Sequence, residues 1–282
     1  MSLPYSEFPV YISAGGTTLI NEVNHYVPST NVNVSYSTNT NPKRNLGKNV
    51  SITDQFNFAG PMTANISVSC ILESGAVSGF EFLLDANQDD FVTIRVGSGD
   101  YKKCYVNSVG VNIEPFAPVI LQAEFTSLEP VTGGQITGDT NPYGGATIPL
   151  DRDDVAYGHT ATITDNAGVL NTTNAKMSFN RRYSRTPTFE LGSINASKML
   201  LDGVEQELTV ASTGLNKLID YSGNKLNNDL VVGLVGVGNT ALFDNVGNLI
   251  TFNQGATVLA QNYSAQGGGV VETSATIKQI KL

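Results

Sequence analysis

Apolar and polar residues alternate with a period of two between residues 103 and 128, and this pattern predicts a long β-hairpin. Prolines at positions 115 and 118 interrupt the alternation and predict the turn, because proline cannot donate a hydrogen bond to a sheet ladder. The apolar positions of both arms fall on one face: Val109, Val111, Ile113, Leu121, Ala123 and Phe125. The opposite face carries the polar positions Asn112, Glu114, Gln122, Glu124 and Thr126. We therefore expect a hairpin with one buried face and one hydrated face.

Shorter stretches with the same alternation predict further strands in the first half of the chain, over residues 9–12, 31–37, 63–72 and 91–96. Apolar residues at helical spacing predict a short helix over residues 79–85. A polar loop is expected over residues 38–45, which contain Lys43 and Arg44.

The same series of landmarks recurs in the second half of the chain, in the same order, at offsets of about 135 to 151 residues. The corresponding segments are 31–36 with 174–179, 66–68 with 208–210, 79–85 with 214–220, and the first hairpin with 257–277. A duplicated domain explains this order; a loose alignment of two unrelated β-domains is the alternative. Residues 131–157 are rich in glycine, proline and aspartate, as linkers are. The sequence thus predicts a mainly β protein with two tandem sandwich- or barrel-forming domains, residues 1–130 and 158–282, each with one short helix.

The chain of 282 residues carries a formal net charge of −9, which argues against a protein that grips nucleic acid with its whole surface. The charge is uneven, because residues 1–141 hold 6 basic and 13 acidic side chains, a net −7, whereas residues 142–282 hold 10 and 12, a net −2. No apolar run approaches the roughly 18 residues needed to cross a bilayer, so no membrane partner is expected.

Motifs that would support catalysis or metal binding do not occur in the sequence. The two histidines, His25 and His159, belong to no zinc or cysteine–histidine pattern, and Cys70 and Cys104 lack metal or redox spacing. Residues 85–89 resemble the start of a calcium loop, but the required glycine and bidentate glutamate are absent, which favours a solvated turn. We therefore expect no enzyme activity, no cofactor and no metal.

One basic cluster, Arg181, Arg182 and Arg185, falls in a predicted loop over residues 180–190 that corresponds to the polar loop of the first half. Three interpretations remain open: a solvated loop, a loop that contacts an acidic surface of another copy, and a nucleic-acid site. The last is disfavoured, because few aromatic residues accompany the arginines and the rest of the chain is acidic.

In the order and duplication of its landmarks, the chain resembles the tail-tube proteins of long-tailed bacteriophages, in the variety with two fused tube domains. The resemblance rests on the strand at 32–37, the polar loop that ends at Leu46 and Gly47, the helix at 79–85, the hairpin at 105–128 and their counterparts within 174–277. Members of that family fold into a β-sandwich with a flanking helix. Their sheets join side by side into a closed barrel around a channel, and rings of subunits stack into a tube.

The resemblance implies a structural virion protein, assembled in the host cytoplasm, whose stacked rings form the hollow tail tube through which DNA is ejected. Three chains, each with two domains, would form a homotrimeric ring of six equivalent domains. The implied partners are further copies of the chain, the tape-measure, tail-terminator and baseplate proteins, and a sheath if the tail is contractile. DNA would pass along an acidic wall without specific binding.

Two sets of candidate contact residues follow from the resemblance. The polar face of the hairpin would line the channel, with an outward orientation as the alternative: Asn112, Glu114, Gln122, Glu124 and Thr126. The basic loops would touch the neighbouring ring: Lys43, Arg44, Arg181, Arg182 and Arg185. Two other classes of function remain, a baseplate or hub component built on the same domain and a carbohydrate-binding β-sandwich module. The latter would need exposed aromatic residues and is disfavoured by the absence of tryptophan.

Overall fold

The computed structural model of the chain describes residues 10–14, 25–27, 29–43, 56–71, 91–97, 99–129, 161–165, 168–169, 173–193, 195–213, 221–233, 248–265 and 271–281. These residues form antiparallel strands with their connecting turns, and no helix occurs among them. The prediction of a mainly β protein is therefore confirmed. The predicted helices at 79–85 and 214–220, the turn at 85–89 and the linker at 131–157 lie outside the described residues.

The strands follow one another along the chain with bounds that we use throughout: β1 (Val10–Ala14), β2 (His25–Val27), β3 (Ser29–Lys43), β4 (Phe56–Ile71), β5 (Val92–Val96), β6 (Gly99–Ile113), β7 (Ile120–Ser127), β8 (Thr162–Asp165), β9 (Gly168–Val169), β10 (Thr173–Phe189), β11 (Ala196–Thr213), β12 (Tyr221–Ser222), β13 (Lys225–Leu226), β14 (Leu230–Gly233), β15 (Asn248–Phe252), β16 (Thr257–Ser264) and β17 (Glu272–Lys281).

Eight of these strands lie side by side in one antiparallel sheet, in the order β3-β4-β7-β6-β10-β11-β17-β16. The first four strands belong to the first half of the chain and the last four to the second half. Each half contributes two hairpins to the sheet, a long one (β3–β4 or β10–β11) and a second one (β6–β7 or β16–β17). In the sheet, the second strand of the long hairpin lies beside the second strand of the other hairpin. The two halves therefore share one strand order, as the predicted duplication requires.

The pairing registers refine the correspondence between the halves. Ile66 of β4 lies opposite Phe125, and Leu208 of β11 lies opposite Ile277, so the predicted match of 66–68 with 208–210 sets Phe125 level with Ile277. In the first strands, Val34 pairs with Ile66 while Phe179 pairs with Leu208. The predicted match of 31–36 with 174–179 therefore differs by two residues from the match of 66–68 with 208–210. A shift of two keeps each side chain on its face, which is why the alternating pattern alone did not detect it.

A second layer covers the apolar face of the first half. It consists of β2, β1, β5 and the beginning of β6, so β6 belongs to both layers. Between its two parts β6 passes through Lys103, whose φ of 48° lies in the left-handed region. Ile12 and Ile94 of the second layer are fully buried in the same core as Ile66.

A small sheet of β15, β14, β8 and β9 supplies residues to the core of the second half. Phe252 of this sheet packs edge-on against Phe179 of β10, with 6.3 Å between the ring centres. One buried cluster contains residues of both halves, among them Val111 and Phe179, which lie opposite each other. The hydrophobic core is therefore continuous from one half to the other.

Two segments that were expected to be loops are strands. Strand β3 continues to Lys43, and β10 continues to Phe189. The predicted loops are therefore wrong over 38–43 and 180–189, and Arg44 lies outside the described residues. In the outer part of β10, Ser184, Thr186 and Pro187 are exposed. A ribbon whose faces are both largely in water lacks the apolar alternation by which a strand is recognised in sequence.

Candidate assembly surfaces

The face of the eight-stranded sheet that lies opposite the core is mostly polar in both halves. Strand pairing places the following side chains in one row across it, which ends at the exposed Ile280 of β17: Asn33, Ser67, Glu124, Ser108, Arg182, Glu205 and Ile280. Hydrogen bonds between strands connect this face, including the Ser108 hydroxyl to Glu124 Oε2 at 3.0 Å and the Thr126 hydroxyl to Asn65 Oδ1 at 2.9 Å. We call this surface the polar face.

The polar residues predicted for the hairpin lie where the alternation placed them. Asn112, Gln122 and Glu124 are exposed on the polar face, Thr126 is half-buried on the same face, and Glu114 is exposed just beyond the end of β6. The three apolar residues expected on the opposite face of β7 are buried: Leu121, Ala123 and Phe125. The predicted division of the hairpin into a buried and a hydrated face is therefore confirmed.

The polar face carries charges of both signs. Four residues are acidic and three are basic: Glu114, Glu124, Glu205, Glu207, Lys176, Arg182 and Lys278. Lys278 Nζ forms an ion pair with Glu205 Oε1 at 2.8 Å. This face is therefore not the uniformly acidic wall that the net charge of the chain suggested, because the basic side chains of the second half lie on the same face.

A seam joins the two halves within this sheet. Strand β6 pairs with β10 over six consecutive positions, from Ser108 opposite Arg182 to Ile113 opposite Met177. On the polar face the Ser178 hydroxyl donates a hydrogen bond of 3.0 Å to Asn112 Oδ1 across the seam. On the core side Val111 and Phe179 are buried. The seam therefore has the continuous backbone pairing, the polar side-chain contacts and the buried apolar pairs that join neighbouring strands inside a single sheet.

Arg185 connects the two halves just beyond the last residue pair of the β6–β10 seam. Its Nε donates a hydrogen bond of 3.1 Å to the carbonyl oxygen of Val106, which lies beside a β-bulge in β6. The guanidinium carbon also lies 5.4 Å from the ring centre of Tyr105 and 5.5 Å from that of Tyr183. Arg185 thus contacts both halves of the chain, and the sequence offered no signal for this contact because its partners are 79 and 80 residues away.

Arg181 is buried inside the second half and not in an exposed loop. Only 4% of its surface is accessible, and its Nη2 donates a hydrogen bond of 2.9 Å to Gln206 Oε1. Gln206 in turn donates to the carbonyl oxygen of Thr251 at 2.9 Å, so the network links the two layers. Of the basic cluster, Arg182 alone is exposed, and it belongs to the polar face. The three arginine side chains therefore lie in different places, in the core, on the polar face and at the seam, and do not form the exposed basic loop that the sequence predicted.

Both outer edges of the eight-stranded sheet carry backbone without a neighbouring strand among the described residues. Strand β3 pairs only with β4, and beyond Val258 strand β16 pairs only with β17. Large apolar or aromatic side chains are exposed on these two strands: Tyr36 on β3, and Leu259 and Tyr263 on β16. From Ser29 to Pro42, and along all of β16, the edges contain no charged residue. Edges of this kind readily pair with another strand.

The polar face also contains an open depression of about 430 Å³ at the end of the seam. Its lining combines the turn between β6 and β7 with residues of β10 and β11, among them Glu114, Lys176 and Ala211. No group of side chains suited to hold a metal ion occurs within the described part of the chain. Nor does this part of the chain contain a helix that is long and apolar enough to span a membrane.

Comparison with known sequences adds no family assignment. No protein-family model matches this chain, and no curated protein matches it. The fold and its surfaces are therefore the basis for inferring what the protein does.

Proposed function

We propose that this protein is a structural subunit that polymerises into rings, and that stacked rings form the hollow tail tube of a long-tailed bacteriophage. One observation carries the proposal: two units with the same strand order are joined edge to edge into one sheet, and among the described residues no further strand pairs with the two outer edges of that sheet. Further copies can extend such a sheet without any change of geometry. A closed ring of copies removes the last free edge.

The polar face suits the inner wall of such a tube. It extends over eight strands, it carries charges of both signs, and the described residues of its central rows include no exposed aromatic side chain. A wall of hydroxyl and amide groups without a cationic patch offers DNA few phosphate contacts, so the genome would slide along it. The described residues of these rows present no aromatic platform of the kind that a carbohydrate-binding module uses.

Ring size follows from the number of units in each chain. Each copy contributes eight strands to the sheet, so three copies would supply 24 strands in six equivalent units. The proposal therefore expects trimeric rings with pseudo-sixfold symmetry, with the tape-measure, terminator and baseplate proteins as further partners.

Negative-stain electron microscopy and mass measurement of the purified protein test this function. We expect rings or tubes, and a ring mass of three chains of 29.9 kDa each. A preparation that stays monomeric under all assembly conditions would contradict the proposal. A single ring or cap that never stacks would instead favour a baseplate or hub component.

A further inference from the structure

We propose that the β16 edge of one copy pairs with the β3 edge of the next copy, antiparallel and in the register that the β6–β10 seam shows within the chain. This inference rests on the proposed function, and it goes further by naming the two surfaces and the residues that meet. It follows from the correspondence between the two halves.

The first step is the correspondence between β6 and β16. Each strand has a β-bulge when paired with its hairpin partner, after Val106 in β6 and after Val258 in β16. Val106 lies opposite Phe125 and Val258 lies opposite Ile277, which occupy equivalent positions. Residues 108–113 of β6, which form the seam, therefore correspond to residues 260–265.

The neighbours of the two strands agree with this alignment. Before the seam, β6 pairs with β5 on the edge that faces away from β7. At the equivalent place β16 contacts β13, through the pair of Lys225 with Thr257 and a hydrogen bond from Val258 to Asn224. Beyond that point β6 continues into the seam with β10, whereas no described strand takes this place beside β16. The segment from 260 onward is thus the counterpart of the seam strand, and its edge away from β17 has no neighbouring strand among the described residues.

The second step is the correspondence between β10 and β3, which follows from their hairpin partners. Phe179 faces Leu208, and Val34 faces Ile66 at the equivalent position. Residues 177–182 of the seam therefore correspond to residues 32–37. Transferring the seam register to the two free edges sets Ser264 against Asn33, Tyr263 against Val34, and Gln261 against Tyr36 of the next copy.

The chemistry of these pairs matches the seam. Asn112 and Ser178 are hydrogen-bonded across the seam, and the corresponding pair is Ser264 with Asn33, the same two residue types in exchanged positions. On the core side, Tyr263 and Tyr36 are 55% and 51% exposed in the single chain, and pairing would cover both rings. Gln261 Oε1 is buried without a hydrogen-bond partner among the described residues. The Tyr36 hydroxyl of the next copy lies 2.6 Å from the hydroxyl of its own Tyr101, and when Tyr101 donates that bond the Tyr36 proton is left for Gln261.

Disulfide trapping between two single variants tests the register. Asn262 and Ser35 are both exposed, and the proposed register places them directly opposite each other. We expect an Asn262→Cys variant mixed with a Ser35→Cys variant to form a covalent dimer under mild oxidation, because opposite positions in a sheet lie within disulfide reach. Within one chain these sites lie at opposite edges of eight strands, roughly 34 Å apart at about 4.8 Å per strand, so the bond must join two copies.

Three controls distinguish the outcomes. Asn262→Cys mixed with Asn33→Cys, a pairing shifted by two residues, should give at least tenfold less covalent dimer, because diagonal positions lie beyond disulfide reach. Each variant oxidised alone should give little dimer, since a symmetric β16–β16 or β3–β3 contact is not expected. Efficient dimer from the shifted pair, or from one variant alone, overturns the proposed register even where microscopy shows rings. Rings without any trapped dimer overturn the edge pairing alone, whereas the absence of rings and dimer overturns the proposed function as well.

Discussion

Asn112 and Ser178 lie 66 residues apart in the chain and are directly opposite each other in the sheet, joined by a hydrogen bond of 3.0 Å from the serine hydroxyl to Asn112 Oδ1. This pair marks the place where the two halves become one structure. The register and the residue pairs of this seam can be compared with the outer edges of β16 and β3, and this comparison is the basis of the proposed contact between copies.

Replacing Arg185 by alanine should destabilise the seam. The change removes a hydrogen bond to the Val106 carbonyl and contacts with two aromatic rings, for a loss of about 2–4 kcal/mol in the free energy of unfolding. Arg182→Ala is the matched control, because that side chain is exposed on the polar face, and its effect should stay within about 0.5 kcal/mol. Chemical denaturation measures both variants, and equal effects would contradict the assigned role of Arg185.

Replacing Phe179 by alanine should leave a cavity where the seam meets the small sheet of the second half. The ring is buried and packs against Phe252, so we expect a loss of about 3–5 kcal/mol. Phe189 is on the same strand but 54% exposed, and Phe189→Ala should change stability by less than about 1 kcal/mol. Thermal unfolding followed by circular dichroism compares the two, and a small effect at Phe179 would argue against the continuous core.

Stability should fall in alkaline solution partly because of Cys104. Burial raises the pKa of this thiol to about 12 from an ordinary value of 9.0. Between about pH 9 and 12 the thiol therefore keeps its proton in the folded state and loses it in the unfolded state. The stability that the buried neutral thiol contributes is complete below about pH 9 and is lost as the pH rises toward 12. Its slope is at most about 1.4 kcal/mol per pH unit. A Cys104→Ala variant should lose less stability than the parent over this window in urea unfolding; identical slopes would refute the assignment.

Introducing a positive charge on the polar face should slow DNA passage if that face lines the channel. Glu124 is exposed there and accepts a hydrogen bond from Ser108, so Glu124→Lys should permit folding and assembly. Repeated around the ring, the new cations would attract phosphates, with screening beyond roughly 8 Å at physiological salt. Ejection kinetics of particles built with this variant are compared with those of Glu190→Lys, a change in the exposed turn after β10. Normal ejection from fully assembled Glu124→Lys tubes would contradict the prediction that the polar face lines the channel.

Proteolysis should cut the unassembled chain first within residues 131–157. The prediction rests on the glycine- and aspartate-rich composition of that segment. The two fragments should stay together during gel filtration without denaturant, because the seam and the common core join the halves independently of the covalent linker. Initial cleavage within residues 109–128 would contradict the boundary, and separation of the fragments would contradict the strength of the seam.

The alternation of residues in the sequence determined which side of each strand is buried. Leu121, Ala123 and Phe125 point to the core because a strand with one dry face must repeat with a period of two. The repeated order of landmarks likewise predicted that the halves correspond. Each single landmark is a local pattern that can be recognised within a window of about ten residues.

Tertiary structure alone decided how far the strands extend and which distant strands meet. The outer part of β10 carries exposed polar side chains, so no periodic signal separates it from a loop. Arg181 and Arg185 look alike in sequence, yet one bonds Gln206 inside its own half and the other bonds Val106 across the seam. The β6–β10 pairing joins strands that are distant in the chain, and its partner and register depend on which edges the folded halves bring together. Such pairings depend on long-range contacts, which no local pattern encodes.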